Sequence, residues 1–510
     1  MRKSLIILSL LLYVVAIKAH TYADHSVLSQ ADFVKVQVSE TGLHKLTYEQ
    51  LQQMGLNPER VRIFGYGGGM LSQNFMQAKI DDMPEVPYYK HTAEQGSFKK
   101  GDYILFYAQG SFTWSFLGSR FRHTRNPYSD YGYYFLTDGL GSASDFQAKK
   151  KTDAHPKENL TFVSPQYKVH ENDLCNLIDP ISGISGGGRE FYGERINNKG
   201  SLSLSFDFSD IDTSRPIVAT ADVAVSDKSE TEYVLSANGT SKTIPMSGTS
   251  ENYEVATIAT DFFSFTPSAS GTQNIRLTLN GTSNSVGYLN YVEATADCFM
   301  RLRDVPLYVR NRVADYGQEK TLTYCVTSAT QTAQVWEVTD LANIRSVDFW
   351  QNKDSLFFEV EDSRIHEFVV FNKDASVSVS PKNIGKIDRQ NLHSVQNADL
   401  VIITPKVYKE AADTLANLHE RVDGFKTLVV TDEQVFNEFS SGTPDATAYR
   451  WLMKMLYDRN KDSETAPKNL ILFGDGSFDN RRLLPMTKEN LLLTYQSVNS
   501  THKVHSYVSD

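Results

Sequence analysis

The stretch Asp399-Leu400-Val401-Ile402-Ile403-Thr404-Pro405 decides the fold of the C-terminal part of the chain. Its consecutive residues Val401–Ile403 are typical of a strand that is buried on both faces of a parallel sheet. A helix is predicted next by one apolar stripe at spacings of four, four, three and four: Val407, Ala411, Leu415, Leu418 and Val422. This helix is expected to end before Gly424.

Two further strands and a second helix continue this β-α-β series. The strands are predicted at Thr427–Thr431 and Asn469–Phe473. The helix between them is expected to begin at Asp445, an N-cap after Thr443-Pro444. Its predicted buried face consists of Ala448, Leu452, Met455 and Leu456. Right-handed crossovers then place the carboxyl ends of all three strands at one edge, where doubly wound sheets bind ligands.

The turn after the third strand holds the candidate site residues at that edge. They are Gly474, Asp475, Gly476 and Asp479. The two carboxylates could orient a substrate group or hold a cation, or they could bond their own turn backbone. Calcium typically takes about six to eight oxygens, and with only Ser477 and Asn480 beside them the turn role is favoured. We predict no metal site and no cofactor.

The chain ahead of this series mostly has a period of two, which predicts antiparallel β structure. Phe33–Val38 and Leu202–Phe208 alternate as strands with one wet face do. Ile275–Leu279 is another such strand and is expected to end at a tight Asn280-Gly281 turn, and Asn238-Gly239 is a further turn signal. We therefore expect a β-sandwich or jelly-roll-like fold from about residue 160 to 300.

Four shorter features of this part have local interpretations. A helix is predicted over Tyr48–Met54. The glycines of Gly65–Gly69 lack the Gly-Lys-Ser/Thr ending of a phosphate loop, so they predict a turn that ends a strand. Gly183–Gly188 is interpreted as a flexible loop. The charged pairs of Arg189–Arg195 are interpreted as a surface ion-pair cluster.

The N-terminus and the composition indicate an exported protein. Met1-Arg2-Lys3 and the short apolar run Leu5–Ile17 precede Ala19, which predicts a signal peptide over 1–19. A lone membrane anchor is the alternative, against which Lys18 counts. The net charge of −10 argues against nucleic acid as a partner. Of the three cysteines, Cys298 and Cys325 are expected to form a disulfide, and the alternative is that all three are buried and reduced.

Several long strings of residues resemble the gingipain-type cysteine peptidases of type IX secretion. They are, in chain order, Thr41–Thr47, Arg62–Leu71, Asn126–Tyr134, Gly188–Glu194, Glu438–Arg450, Met453–Asp458 and Leu472–Arg481. The resemblance spans nearly the whole chain. It implies a multidomain protein: mainly antiparallel β structure, then the first half of a caspase/gingipain-like α/β domain with a parallel sheet.

The resemblance also implies a chemistry, that of a cysteine-type endopeptidase which removes C-terminal secretion signals from cargo proteins. A Cys thiolate attacks the scissile carbonyl, a His moves the proton, and backbone N–H groups stabilise the oxyanion. All three cysteines precede the α/β segment, so Cys and His are expected beyond Asp510, and the 510 residues alone are expected to be inactive. His502 and His505 are interpreted as surface histidines, since a metal pair would lack a third ligand.

The expected organisation has four parts: a signal peptide (1–19), an N-terminal β-rich domain (24–155), a β-sandwich region (156–395) and the incomplete start of a gingipain-like α/β peptidase domain (396–510). The partners implied are secreted cargo proteins with C-terminal signal domains and outer-membrane secretion components, without nucleic acid. The location implied is the cell surface, associated with the outer membrane. The alternative function is a non-catalytic cell-surface β-domain protein that binds a partner or a glycan.

Overall fold

The computed structural model describes residues 22–77, 79–94, 97–117, 120–143, 146–154, 157–180, 185–250, 252–311, 320–361, 363–461, 466–485, 490–505 and 508–509. The predicted signal peptide, 1–19, lies outside these residues, as does the start of the predicted glycine loop at Gly183. Within the described part, no helix combines the length and the apolar character that a membrane span requires. The protein is mainly β and ends in an α/β unit, as predicted.

The first region, up to residue 137, is built from three small sheets. Its elements are β1 (Phe33–Val38), β2 (Gly42–Thr47), α1 (Tyr48–Gln53), β3 (Arg62–Phe64), β4 (Glu85–Val86), β5 (Tyr88–His91), β6 (Tyr103–Ala108), β7 (Phe112–Leu117), β8 (Arg120–Arg125) and β9 (Gly132–Thr137). The sheets contain β1-β9-β3-β4, β2-β6-β5 and the hairpin β7-β8. Helix α1 confirms the prediction: Thr47 and Gln50 form a capping box at its start.

Strand β1 differs from its prediction of one wet face. Five of its six residues are buried, including Lys35. The strand lies inside a sheet, and the Lys35 ammonium donates a hydrogen bond at 2.9 Å to Asn437 Oδ1 in the α/β unit. The alternation of polar and apolar residues predicted that one face of β1 is exposed to solvent. Another part of the chain, the α/β unit, covers that face.

A β-sandwich follows, as predicted. Its strands, with one short strand before them, are β10 (Leu160–Thr161), β11 (Val163–Glu171), β12 (Arg195–Asn197), β13 (Ser201–Asp207), β14 (Ile217–Ser226), β15 (Thr231–Ala237), β16 (Thr240–Met246), β17 (Thr257–Phe265), β18 (Thr272–Asn280) and β19 (Val286–Phe299). The sheets β11-β19-β14-β17 and β13-β18-β15-β16 enclose one apolar core. Asn238 and Gly239 both have positive φ, at 46° and 79°, which is the geometry of a type I′ hairpin turn.

A third β region precedes the α/β unit. Its strands are β20 (Leu307–Arg310), β21 (Thr321–Val326), β22 (Ala333–Glu337), β23 (Arg345–Ser346), β24 (Trp350–Asn352), β25 (Ser355–Glu361), β26 (Glu367–Asn372) and β27 (Lys382–Ile387). The sheets are β10-β21-β25-β24 and β20-β26-β22-β23, whereas β27 pairs antiparallel with β1. The domain boundaries at 155 and 395 stay predictions.

All three cysteines are free thiols, so the expected Cys298–Cys325 disulfide is wrong. Cys298 is buried in the sandwich core, whereas Cys325 is buried with Trp350 and Phe357 in a separate cluster. The two side chains pack in different cores.

The α/β unit contains the predicted parallel sheet. Its elements, with two short strands after it, are β28 (Leu400–Thr404), α2 (Lys409–Asp423), β29 (Thr427–Thr431), α3 (Asp432–Phe439), α4 (Thr447–Asn460), β30 (Asn469–Leu472), β31 (Tyr495–Gln496) and β32 (Val508–Ser509). The strand order is β29-β28-β30, and both pairs are parallel. Short 3-10 turns also occur at Val27–Ser29, Pro58–Arg60, Leu392–Ser394 and Lys406–Tyr408.

The buried face of α2 differs from the predicted stripe. Val407 is 72% exposed and Val422 is 68% exposed, whereas Ala412 and Ala416 are buried against Leu400 and other residues of the sheet. Small side chains let the helix approach the strand closely, which the spacing of the larger residues does not reveal. Ala448, Leu452, Met455 and Leu456 of α4 are all buried, as predicted.

Candidate functional site

The carboxyl ends of the three parallel strands meet at one edge, as the crossover argument predicts. Thr404, at the end of β28, is buried, and its hydroxyl donates to the carbonyl oxygen of Phe473 just after β30, at 2.9 Å. At the end of β29, Thr431 and Gln434 form a capping box that begins α3. Asp432 follows directly, and burial raises the pKa of its carboxyl to about 6.

The predicted site residues occupy the turn after β30 and divide into two kinds. Asp475 is exposed, and its backbone oxygen accepts from the N–H groups of Leu491 and Leu492, each at 3.0 Å. Asp479 is buried, and its carboxylate accepts from the N–H groups of Leu483 at 2.9 Å and Leu484 at 2.8 Å. The Asp479 side chain therefore bonds its own turn, whereas the Asp475 side chain faces solvent at the sheet edge.

The two glycines of the turn allow a close approach by the following segment. A Cβ on Gly474 would lie 2.9 Å from Leu492 Cδ1, and one on Gly476 would lie 2.4 Å from Thr494 Cγ2. Asn480 joins the same segment, because its Oδ1 accepts from Thr494 N at 3.0 Å. Any side chain at Gly476 would displace residues 490–494 from the edge.

A cleft of about 290 Å³ opens beside Asp432 at this edge, and its lining residues do not include Gly474, Asp475, Gly476 or Asp479. One wall is formed by residues 480–482 and 490–493, and Asp432 and Pro444 also line it. The other wall is the loop 128–131, which belongs to the first region and connects β8 to β9. Sequence reasoning placed the edge correctly but did not predict that a distant loop faces it.

A second contact that sequence reasoning missed joins the first region to the loop between α3 and α4. The Ser441 hydroxyl accepts from Tyr66 N at 2.9 Å, and the Thr443 hydroxyl donates to Gly67 O at 3.0 Å. Asp445 accepts from Leu71 N and from Thr447 N, each at 2.8 Å, and α4 begins two residues after it. The stretch 65–69 does leave strand β3 as a turn, but that turn is also an interface.

A buried ion cluster joins the same two parts of the chain. His393 and Glu438 are fully buried, and His393 Nδ1 lies 2.7 Å from Glu438 Oε2. His393 Nε2 lies 3.4 Å from Asp81 Oδ1 of the first region. Burial lowers the pKa of His393, but the two carboxylates outweigh burial and raise it to about 9. The cluster thus holds an imidazolium inside the protein at neutral pH.

The interpretation of Arg189 and Glu190 as a surface ion-pair cluster is wrong. Arg189 N donates to Ser497 O at 2.8 Å, and Glu190 N donates to the hydroxyl of Ser500 at 2.9 Å. Burial raises the pKa of Glu190 to about 7. Both residues contact the segment after β31. They therefore lie at an interface between two parts of the chain.

The remaining candidates lie away from the sheet edge. His505 is exposed, and its ring centroid lies 4.2 Å from that of His502. Within the described residues, no group of three His, Cys, Asp or Glu side chains is placed to hold a metal ion.

Comparisons with known proteins agree with this architecture. Residues 393–510 match Peptidase family C25. The whole chain is similar to the crystal structure of dimeric latent PorU from Porphyromonas gingivalis, with a TM-score of 0.81 and 30% identity. This similarity covers 96% of the chain but 46% of the PorU chain, so the chain spans about half the length of that relative.

Two carbohydrate-binding modules also align with part of the chain. They are CBM36 in complex with calcium and xylotriose, at 20% identity, and TmCBM61 in complex with β-1,4-galactotriose, at 13% identity. The CBM36 match covers 25% of this chain and 98% of the module, with a TM-score of 0.17. The TmCBM61 match covers 26% of this chain and 85% of the module, with a TM-score of 0.15. No curated protein matches the sequence. The chain as a whole is thus similar to PorU, and residues 393–510 carry the match to Peptidase family C25.

Proposed function

We propose that the protein is a type IX secretion sortase, a gingipain-type cysteine endopeptidase that removes C-terminal secretion signals from cargo proteins. The observation that carries this proposal is the similarity to PorU over 96% of the chain, which includes the β-rich regions as well as the C25 segment. The cargo proteins and the outer-membrane secretion components are its proposed partners. The proposed location is the cell surface, in association with the outer membrane.

The proposal assigns the nucleophilic role to none of the three cysteines of these 510 residues. A cysteine nucleophile must form a thiolate readily, which requires a lowered pKa. Burial instead raises the pKa of Cys175 to about 11, that of Cys298 to about 12, and that of Cys325 as well. All three lie in the β-rich regions. None is therefore suited to attack a peptide at the sheet edge.

At that edge, the proposal assigns Gly474–Asp479 to the border of the substrate site. The exposed carboxylate of Asp475 is free to contact a bound peptide, whereas Asp413 on α2 pairs with Lys409 away from the edge. In a catalytically active form of the protein, we expect Asp475→Ala to reduce turnover more than Asp413→Ala at equal stability. Equal turnover of the two variants would remove Asp475 from the site.

The test of the proposed function is removal of the gene from the bacterium that makes the protein. Cargo proteins should then keep their C-terminal signals, which mass spectrometry of the outer-membrane fraction detects, and the restored gene should reverse the effect. Normal processing without the gene would contradict the proposal. Thiol-dependent cleavage of cargo by the purified 510 residues would instead contradict only the exclusion of these three cysteines as the nucleophile.

A further inference from the structure

Four charged side chains form a closed ring where three parts of the chain meet. Arg125 and Asp130 belong to the first region, Asp173 follows β11 of the sandwich, and Arg481 lies in the turn after β30. The Arg125 guanidinium donates to Asp130 Oδ1 at 2.9 Å and lies 2.8 Å from Asp173 Oδ2. The Arg481 guanidinium donates to the same Oδ1 of Asp130 at 2.7 Å and to the same Oδ2 of Asp173. Each carboxylate thus bridges two guanidinium groups.

Burial distinguishes the Arg481–Asp173 side of this ring from an ordinary surface ion pair. The side chain of Arg481 is 5% exposed and that of Asp173 is 4% exposed, whereas Arg125 is 18% exposed and Asp130 is 35% exposed. An exposed pair contributes little because water competes for both charges. A buried charge that loses its partner is left without compensation, and this cost fixes the partners relative to each other. The ring therefore defines where the turn after β30 can lie.

The ring lies directly beside the cleft at the sheet edge. Asp130 and Arg481 both line that cleft, one from each wall. Arg481 is two residues beyond Asp479, whose carboxylate holds the same turn. The contact between the walls is thus a direct ion pair of 2.7 Å, and Asp173 ties this contact to the sandwich.

We infer that Arg125, Asp130, Asp173 and Arg481 form a positioning device that fixes the turn 474–485 against the loop 128–131 and so shapes the cleft for an extended peptide. The peptide as occupant rests on the proposed function, whereas the fixing of the turn does not. Under this inference, the first region and the sandwich are parts of the peptidase site. Asp130 and Asp173 act through Arg481, so they are positioning residues.

The experiment is hydrogen–deuterium exchange of the 510-residue chain, read over residues 474–485. Arg481→Gln and Asp173→Asn should each raise the exchange rate of this turn about tenfold or more, while helix α4 keeps its protection. Arg481→Lys should restore part of the protection, because it keeps the charge but lacks the fork that reaches two carboxylates. Partial rescue by Lys separates the charge from mere filling of space.

Arg389→Gln is the matched control. Arg389 also joins two distant parts of the chain, since its Nε donates to Asp32 Oδ1 at 2.7 Å, but both side chains are exposed. Its loss should change exchange of the turn less than about twofold.

Two results would overturn the inference: unchanged exchange of 474–485 in Arg481→Gln, or faster exchange spread equally over the sandwich and α4. If Arg481→Gln does not fold, Arg481→Lys decides the question, because its turn must still exchange faster than in the wild type. Hydrogen exchange does not depend on whether the chain cleaves cargo proteins. Its outcome is therefore independent of the gene-removal test. Loss of cargo processing together with unchanged exchange would reject the ring and keep the proposed function.

Discussion

The β-sandwich and the parallel sheet form their cores in different ways. The core of the sandwich consists of residues from Ile196 to Cys298, all supplied by the sandwich itself. The parallel sheet shares one of its two cores with the first region, where Val401 and Ile403 are in one cluster with Phe33. A local pattern is therefore enough to specify the first core. The second core requires two distant parts of the chain to fold together.

Charged side chains also distinguish the core of the sandwich from the junction between the first region and the α/β unit. The core cluster of the sandwich consists of apolar side chains, and the buried Glu293 of β19 lies outside it, paired with Arg122 and His123 of the first region. The junction between the first region and the α/β unit instead buries Lys35, Lys79, His393 and Glu438. Apolar surfaces pack in many arrangements of similar energy, whereas a buried charge tolerates only those that supply its partner. The junction thus has one favoured geometry, and the cleft at the sheet edge depends on it.

The largest difference is expected when the two regions are produced as separate fragments and their folding is compared. Residues 157–303 should unfold cooperatively in urea, because their core is self-contained. Residues 389–505 should lack fixed tertiary packing, because they lose Phe33, Phe64 and Phe135 from the shared core. Near-ultraviolet circular dichroism measures the difference. Cooperative unfolding of the second fragment would break the comparison.

Truncation of one buried side chain in each region should sharpen the comparison. Phe439→Ala should lower the free energy of unfolding by about 3–5 kcal/mol and Leu277→Ala by about 2–5 kcal/mol, because both side chains are fully buried. The two variants should differ in how much of the chain loses protection against hydrogen exchange. Phe439 stacks on His393 at 4.9 Å in the shared core, so its loss should raise exchange in the first region as well as in the α/β unit.

Leu277→Ala is the counterpart within the sandwich and should raise exchange there alone. Regional hydrogen exchange after proteolysis distinguishes the two patterns. A loss of protection confined to the α/β unit in Phe439→Ala would show that the shared core does not couple the two parts.

The charge of His393 makes the junction dependent on pH. Its pKa is raised from 6.5 to about 9, so its stabilising contribution is complete below about pH 6.5 and is lost as the pH rises through about 9. The difference in unfolding free energy between the wild type and His393→Gln should shrink over this window by up to about 3 kcal/mol. Urea denaturation at several pH values measures it.

The variant serves as its own control for titrating groups that do not contact the His393 cluster, whereas Lys79 is coupled to His393 through Asp81 and does not cancel. His123, whose pKa is also raised to about 9, and the buried Lys35, whose pKa is lowered to about 8, are present in both proteins and cancel in the difference. A difference that stays constant from pH 6.5 to 9 would mean that His393 is not held as an imidazolium.

The smallest effect is expected on the exposed face of α2. Val422→Ser should change the free energy of unfolding by less than about 0.5 kcal/mol, because the side chain is mostly exposed. Ala416→Ser, on the buried face, is the matched comparison and should cost more, since it places a hydroxyl against the sheet. Equal effects of the two substitutions would mean that the Ala416 face of α2 does not contact the sheet.

The parallel strands could be predicted almost to the residue, because runs of apolar β-branched residues have few other uses. The observed strands are Leu400–Thr404, Thr427–Thr431 and Asn469–Leu472. Helix α3 was missed, although Thr431 and Gln434 have the spacing of a capping box. The contact face of α2 could not be predicted, because spacing shows that a helix is amphipathic but not which neighbour approaches it.

The candidate site was predictable only on the side that the parallel sheet provides. Crossover handedness placed Asp475 at the edge without further information. The loop 128–131 and the ring around Arg481 could not be predicted, because charged residues in loops have no periodic signal. Their partners are distant in the chain, and only the folded arrangement of the three regions reveals them.

The pairing of β27 with β1 also determines when the first region can finish folding. Strand β1 is the second strand of the chain's first sheet, but its neighbour Lys382–Ile387 is made only after the sandwich and the third β region. At about 5–20 residues per second, the open edge of β1 persists for on the order of ten seconds or more during synthesis. An unpaired edge can bind a wrong strand. Contacts between such distant segments also slow folding. The nascent chain therefore has a period of vulnerability to aggregation, during which a chaperone bound to the open edge of β1 would protect it.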